Sequence, residues 1–350
     1  VAETQLLTIS PSFTGTQLSF QYSQMIKNHN SENRFQRLAE QKKSPFKPIA
    51  LNQEDLVASR YGRYIGAREK SVVQAAKKRD TFALWVSGFG QFLHQGRQNQ
   101  NPTFNANTGG VLIGMDAFQN IDSGVSVGYS RSSISQDATS YMNCYFSSIY
   151  GTFYAKNFYF ELNLSGEYNQ YRNKRKVIFP GFEEVAKSKN SGYQVMPYFE
   201  IGYDLSFDWG VLEPFSSADY IYVYESSFSE KGAAPLNMHI NSRSFSMLRG
   251  EIGLNAYQNW KMEWGSIFIR ESVSYANQQP FGVGKMNALL VGSPPGFAVN
   301  SLNTALNLFR SGLELFIRGN SGLFGSVSYT GEYGSRYYSN AVFGEIGQYF

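Results

Sequence analysis

From Thr81 onward, apolar and polar residues alternate with a period of two, the pattern of a strand whose two faces meet different surroundings. The cleanest stretch is 158–168. Phe158, Phe160, Leu162, Leu164 and Tyr168 fall on one face, and Tyr159, Glu161, Asn163, Ser165 and Glu167 on the other. Leu323, Val327, Tyr329 and Tyr333 alternate with Phe324, Ser326, Ser328, Thr330 and Glu332 in the same way. Carried along the chain, the pattern predicts twelve strands, at 81–95, 106–119, 122–136, 140–155, 157–172, 187–206, 209–225, 237–257, 259–276, 302–319, 321–334 and 338–350. Each supplies at least the roughly 9–11 residues that a tilted membrane-spanning strand needs.

The connections carry further information. Tight turns at Asn120-Ile121, Ala155-Lys156, Phe207-Asp208, Asn259-Trp260 and Asn320-Ser321 alternate with longer segments at 96–105, 172–187, 226–237 and 277–301. A soluble sandwich has no reason to send its long loops to one end, whereas an outer-membrane barrel has short periplasmic turns and long external loops. Val342, Gly344 and Ile346 lead by alternate positions towards Phe350, as suits a last strand that pairs with the first and removes the sheet's edges.

Before residue 80 the character changes. Residues 1–43 show no sustained period, and Ser44-Pro45-Phe46-Lys47-Pro48 reads as a linker. Residues 53–79 have the marks of a helix. Asn52 stands at the N-cap, Glu54 and Asp55 in the first turn, and Lys77, Lys78 and Arg79 in the last. At about 1.5 Å per residue it would span roughly 40 Å. Arg60, Arg63, Arg68 and Lys70 make it basic, and its few apolar residues are too sparse for a core.

Composition narrows the class. With 28 Phe, 24 Tyr and 33 Gly in 350 residues, and only 17% charged residues, the chain is not of a disordered type. No apolar run approaches the roughly 18 residues of a membrane helix. A membrane β-barrel remains open, because alternating strands average to a polar composition. The net charge of +4 is too small to argue for nucleic acid. One cysteine, Cys144, allows no internal disulfide and no cysteine metal cluster. The chain opens at Val1 without a charged and then apolar leader, so further sequence is expected upstream.

Several segments together resemble the bacterial autotransporter β-domain. They are Trp85-Val86-Ser87-Gly88-Phe89-Gly90, the run from Asn107 through Gly109-Gly110 to Asp116, and Gly124 to Ser130. Tyr150-Gly151-Thr152-Phe153, Phe158-Tyr159-Phe160, Leu212-Glu213-Pro214-Phe215 and the run from Phe228 to Ala233 follow in order. The resemblance covers about 80–350. It implies an all-β fold: a twelve-stranded antiparallel transmembrane β-barrel with an N-terminal α-helix threading the pore. It also implies a passenger upstream, residence in the bacterial outer membrane, and a terminal strand read through Phe350 by the barrel-assembly machinery. One departure is Gln348, where the family usually carries an aromatic residue. The expected division is passenger end and linker at 1–52, pore helix at 53–79 and barrel at 80–350.

If the apolar faces meet lipid, then Asp116, Glu161, Glu167, Glu200, Asp204, Glu251, Glu314, Glu332 and Glu345 line the pore, joined by Arg249, Arg310 and Arg318. This lumen is acidic and the expected helix, with Arg60, Arg63, Arg68 and Lys70, is basic. Twelve strands enclose more than the packed interior of eight, and a helix of about 10–12 Å would nearly fill them. The same register sends Glu271 outward with Ile267, Ile269 and Val273. The basic run Arg172, Lys174, Arg175, Lys176 is expected in an external loop, as a solvated charge run. His29, His94 and His239 select no catalytic arrangement, and no cofactor or metal motif is present. The reading is a monomeric outer-membrane translocator domain with lipid, the assembly machinery and its own passenger as partners, and no nucleic acid. A diffusion channel and an outer-membrane hydrolase are the alternatives.

Overall fold

The computed structural model describes residues 10–41, 81–97, 103–118, 121–135, 139–281, 285–290, 293–300 and 305–350. Twelve long antiparallel strands close on themselves. They are β1 (Phe82–Gln95), β2 (Phe104–Phe118), β3 (Asp122–Ser135), β4 (Thr139–Ala155), β5 (Phe158–Phe179) and β6 (Phe182–Tyr203), followed by β7 (Val211–Glu225), β8 (Arg243–Met262), β9 (Gly265–Phe281), β10 (Leu306–Gly319), β11 (Leu323–Gly334) and β12 (Tyr337–Tyr349). Each pairs with its neighbours in sequence, and β12 pairs with β1 from Ala83↔Tyr349 to Gln95↔Tyr337. Every strand therefore has two partners and the sheet has no open edge.

The alternation read from the sequence is the alternation of lipid and pore. Leu162, Leu164 and Tyr168 are exposed on the outside of β5, while Glu161, Asn163, Ser165 and Glu167 are buried inside. Aliphatic side chains such as Val127 (60% exposed) and Ile252 (62%) belong to a continuous apolar belt, which is stable only against lipid. Aromatic residues bound the belt. At one rim Tyr129, Tyr145, Tyr168, Tyr193 and Tyr224 stand side by side in register on β3 to β7. Tyr275, Phe309, Tyr333 and Tyr338 do so on β9 to β12, with His94 of β1 next in line. Phe82, Phe158, Phe207, Trp209, Trp264 and Phe350 are exposed at the other rim. Such girdles mark the two membrane interfaces.

The connections differ from the sequence reading in three places. Residues 172–187 are not a loop; β5 and β6 continue as a paired hairpin to a turn at 180–181. Its inner face has a core of its own, because Val177 and Ala186 pack with Ala233. The turn expected at Asn259-Trp260 lies at 263–264 instead, where Gly265 passes so close to Arg318 that a Cβ would sit 2.0 Å from its carbonyl oxygen. Finally, parts of the long external segments pair with one another. Phe228–Ser229, Met238–Ile240, Lys285–Leu290 and Ser293–Asn300 form a second, four-stranded sheet at the long-loop end.

Among the described residues one helix, α1 (Ser10–Gln41), runs inside the barrel. The pore helix expected at 53–79, with Arg60, Arg63, Arg68 and Lys70, lies outside the described residues. The segment that fills the pore is the one the sequence reading gave to the passenger end and linker. The reason is physical. Leu18, Tyr22, Met25 and Ile26 do fall at helical spacing and pack on apolar residues of the wall, but that stripe covers only about two of the helix's turns, and no end-turn charges announce the rest.

Candidate functional site: the helix and the pore wall

Side chains from Thr16 to Ser23 and from Met25 to Arg34 are buried between α1 and the strands. Near the long-loop end, Tyr22 stacks on Phe146 with ring centroids 3.8 Å apart, and Phe20 joins Met196, Ile221, Val223 and Met247. Tyr337 donates its hydroxyl to Gln17 Oε1 at 3.1 Å, and Ser19 donates to Gln194 at 3.3 Å.

Below this the contacts become ionic. Lys27 Nζ lies 2.6 Å from Glu200 and over the Phe215 ring. His29 sits between two carboxylates, with Nε2 2.6 Å from Asp116 and Nδ1 2.7 Å from Glu345. Each ring nitrogen thus faces a carboxyl group, and a doubly protonated imidazole would donate to both. Tyr150 donates to the other oxygen of Asp116 at 2.7 Å. Asn30 donates to Glu161 at 2.9 Å. Arg34 forks onto Glu213 through Nε (3.1 Å) and Nη2 (2.9 Å), reaches Glu161 through Nη1 (3.2 Å) and stacks on Tyr159. Arg37 lies 3.5 Å from Asp122, over the Tyr154 ring.

At about 100° of rotation per residue, Lys27 and Arg34 share one face of α1, and Arg37 and His29 extend the cationic arc to roughly 160°. Their partners come from β2, β3, β5, β6, β7 and β12. On the other side Asn28 donates to Ser328 of β11 at 3.3 Å and accepts from Arg270 of β9 at 2.5 Å, so the helix is held by more than one wall. Between helix and wall, two gaps of about 20 and 10 Å³ have room for about one water each.

The pore-lining residues expected from sequence are buried on the inner face: Asp116, Glu161, Glu167, Glu200, Asp204, Arg249, Glu251, Arg310, Glu314 and Glu332. They serve different ends. Asp116, Glu161, Glu200 and Glu345 hold helix cations. Arg249 and Arg310 instead bridge Glu251 and Glu332 within the wall, at 2.6–2.8 Å for the close pairs. Arg310 also donates to Gln24. Glu314 pairs with Arg270 at 2.7 Å, and Glu167 accepts from Gln194 at 3.2 Å. Asp204 lies at the short-turn end beside Asn157, and Arg318 stacks on Tyr349. Glu271 faces outward as expected, exposed beside Val273.

Sequence reasoning missed Glu213, Asp219 and Arg270, and missed Lys27, His29 and Arg34 on the helix. Glu213 and Asp219 were within reach, since 211, 213, 215, 217, 219, 221, 223 and 225 all face inward. On β7 that face includes Val211, Phe215, Ile221 and Val223, so hydrophobicity alone did not tell inside from outside. Phe350 closes the ring. Its carbonyl accepts from Thr81 N (2.7 Å), its amide donates to Phe82 (2.9 Å), and its ring stacks on Phe82 at 4.7 Å.

A closed strand barrel with an apolar belt, two aromatic girdles and its own helix clamped in an acidic pore is a plugged outer-membrane barrel. The model of the autotransporter β-domain matches residues 84–330, and the chain belongs to that family, the outer-membrane translocator domains. Among solved structures it is similar to the translocator domain of NalP from Neisseria meningitidis, with a TM-score of 0.63 at 14% identity, covering 85% of this chain and 96% of that one. It is also similar to the β-domain of the Bordetella autotransporter BrkA, with a TM-score of 0.58 at 13% identity, covering 77% and 100%. Among curated proteins, an extracellular serine protease of Serratia marcescens is 24% identical over 76% of this chain. Outer membrane protein B of Rickettsia japonica is 24% identical over 73%. The chain spans 26% and 16% of these two relatives.

Proposed function

We propose that this barrel holds its own upstream passenger at the cell surface, with α1 as both tether and plug. The observation that carries this is the direction of α1. Gln17 lies at the long-loop end, against the first residue of β12, whereas Arg37 lies at the short-turn end, against Tyr154 and Asp122. A chain running this way enters the pore from the long-loop side, which in an outer-membrane barrel faces outward. Whatever precedes α1 is then outside. The relative named as an extracellular serine protease would carry that chemistry in its passenger, and on this reading the barrel itself is a non-enzymatic scaffold. Its partners on this reading are outer-membrane lipid and the barrel-assembly machinery, and it works as a monomer. The diffusion-channel alternative needs an open lumen, which α1 occupies.

Single-channel conductance tests the plug. Removing Ser10–Gln41 should raise conductance several-fold, and an unchanged value would reject it. An epitope placed before Ser10 should be reached by antibody on intact cells. Labelling only after the cells are broken would reverse the assigned direction.

A further inference from the structure

On the outer face of the β5–β6 hairpin, cations stand directly opposite one another. Lys174 pairs in register with Lys187, and Lys187 pairs in turn with Lys231 of the adjoining segment. Arg172 pairs with Lys189 two residues nearer the membrane, and Lys176 stands two residues farther out. All six are exposed. Directly opposed residues on neighbouring strands have Cβ atoms about 4.5–5.5 Å apart, and like charges there are destabilising. Such an arrangement calls for an anion.

The hairpin does not lack means to neutralise charge. Arg175, between Lys174 and Lys176 but on the inner face, is held by Glu230 at 3.0 and 2.6 Å. The six outer cations have no such carboxylate among the described residues. Glu183 and Glu184 lie towards the hairpin tip, opposite Ile178 and Val177, beyond the lysine row.

Height identifies the anion. Arg172 and Lys189 each lie four residues outward from the girdle residues Tyr168 and Tyr193 on the same strands. At about 3.3 Å per residue and a tilt near 40°, that is roughly 10 Å above the rings, with Lys174 and Lys187 roughly 15 Å and Lys176 roughly 20 Å above them, the depth of a large phosphorylated headgroup. The cationic face continues straight down into lipid-facing Leu164 and Val195. An anion at this height, with apolar chains directly beneath it, is the headgroup phosphate of a lipid.

We propose that Arg172, Lys174, Lys176, Lys187, Lys189 and Lys231 form a binding surface for the phosphates of the outer-leaflet glycolipid. The basic run seen in the sequence is then a lipid-headgroup contact rather than a merely solvated face. Arg175 is not part of it.

The test uses the full chain, purified in uncharged detergent, with thermal unfolding followed by the loss of heat-resistant migration on gels. Bisphosphorylated lipid A should raise Tm by several degrees. Dephosphorylated lipid A, phosphatidylcholine and inorganic phosphate at matched concentration should not. The triple variant Lys174→Gln, Lys187→Gln, Lys231→Gln should weaken the response to lipid A by roughly tenfold or more. Without lipid it should be at least as stable as the parent, because the opposed charges are gone. Lys187→Gln alone, at the centre of the row, gives a milder version of both effects. An equal shift with dephosphorylated lipid A, an undiminished response in the triple variant, or the same shift with inorganic phosphate would each overturn the proposal.

Discussion

Arg34 of the pore helix and Glu213 of β7 form a two-point contact deep in the barrel, with Nε to Oε2 at 3.1 Å and Nη2 to Oε1 at 2.9 Å. Both side chains are 1% exposed, so neither charge has water to fall back on. Arg34→Ala leaves Glu213 and Glu161 buried without their cation and should cost about 3–5 kcal/mol. In planar bilayers the variant should show frequent openings that the parent lacks. Adding Glu213→Gln should restore part of the loss, and the coupling energy from the double-mutant cycle measures the pair. Strict additivity would show that the contact is not formed.

The lipid face can be tested by depth. Leu162→Arg places a charge in the apolar belt of β5 and should destabilise the barrel by about 2–4 kcal/mol. Gln170→Arg points the same way but lies beyond Tyr168, outside the girdle, and should be nearly neutral. Unfolding in lipid vesicles separates the two. Equal costs would mean that the tyrosine ring does not mark the interface.

Glu271 is a carboxylate in the middle of the belt, opposite Leu313 and two residues from Val273. Nothing in the structure explains its retention. Glu271→Leu should stabilise the barrel by about 1–2 kcal/mol in vesicles, since carboxylates cost less than basic residues at the midplane. A destabilised variant would point to a partner for this carboxylate within the membrane.

Phe350 makes the last backbone hydrogen bonds at the seam of the first and last strands, to Thr81 and Phe82, and its ring covers Phe82. The family's usual aromatic two residues earlier is Gln348, whose side-chain amide donates to Ser321 O at 2.8 Å. Tyr349 turns inward and donates to Asn33 of α1 at 2.8 Å, so it cannot replace that aromatic on the outer face. Removing Phe350 should lower the yield of heat-modifiable barrel in membrane fractions, while barrel that does form conducts like the parent. Normal yield with a leaky barrel would make Phe350 a closure residue only.

The strand faces were legible because each is decided locally. On β5, the alternation of Leu162 and Leu164 with Glu161 and Asn163 already separates lipid from lumen. Closure was legible too, since a strand ending in Phe350 had to find a partner, and β1 was the one left. The acidic character of the pore followed from the same alternation, and so did the need for a basic occupant. Which segment meets that need was a tertiary decision. Residues 53–79 carry the caps and end charges that favour a helix standing in water, and those signals outweighed the featureless run from Ser10 to Gln41. That run is held by groups far away in the chain, Lys27 by Glu200, His29 by Asp116 and Glu345, Arg34 by Glu213, and no local rule can see them. Its apolar stripe, Leu18, Tyr22, Met25 and Ile26, is short and flanked by polar residues that meet polar parts of the wall, so it leaves little period to read. Likewise Arg175 and Lys174 are neighbours in one basic run. Only the pleat of a hairpin that continues past the membrane turns one inward to Glu230 and the other outward beside Lys187.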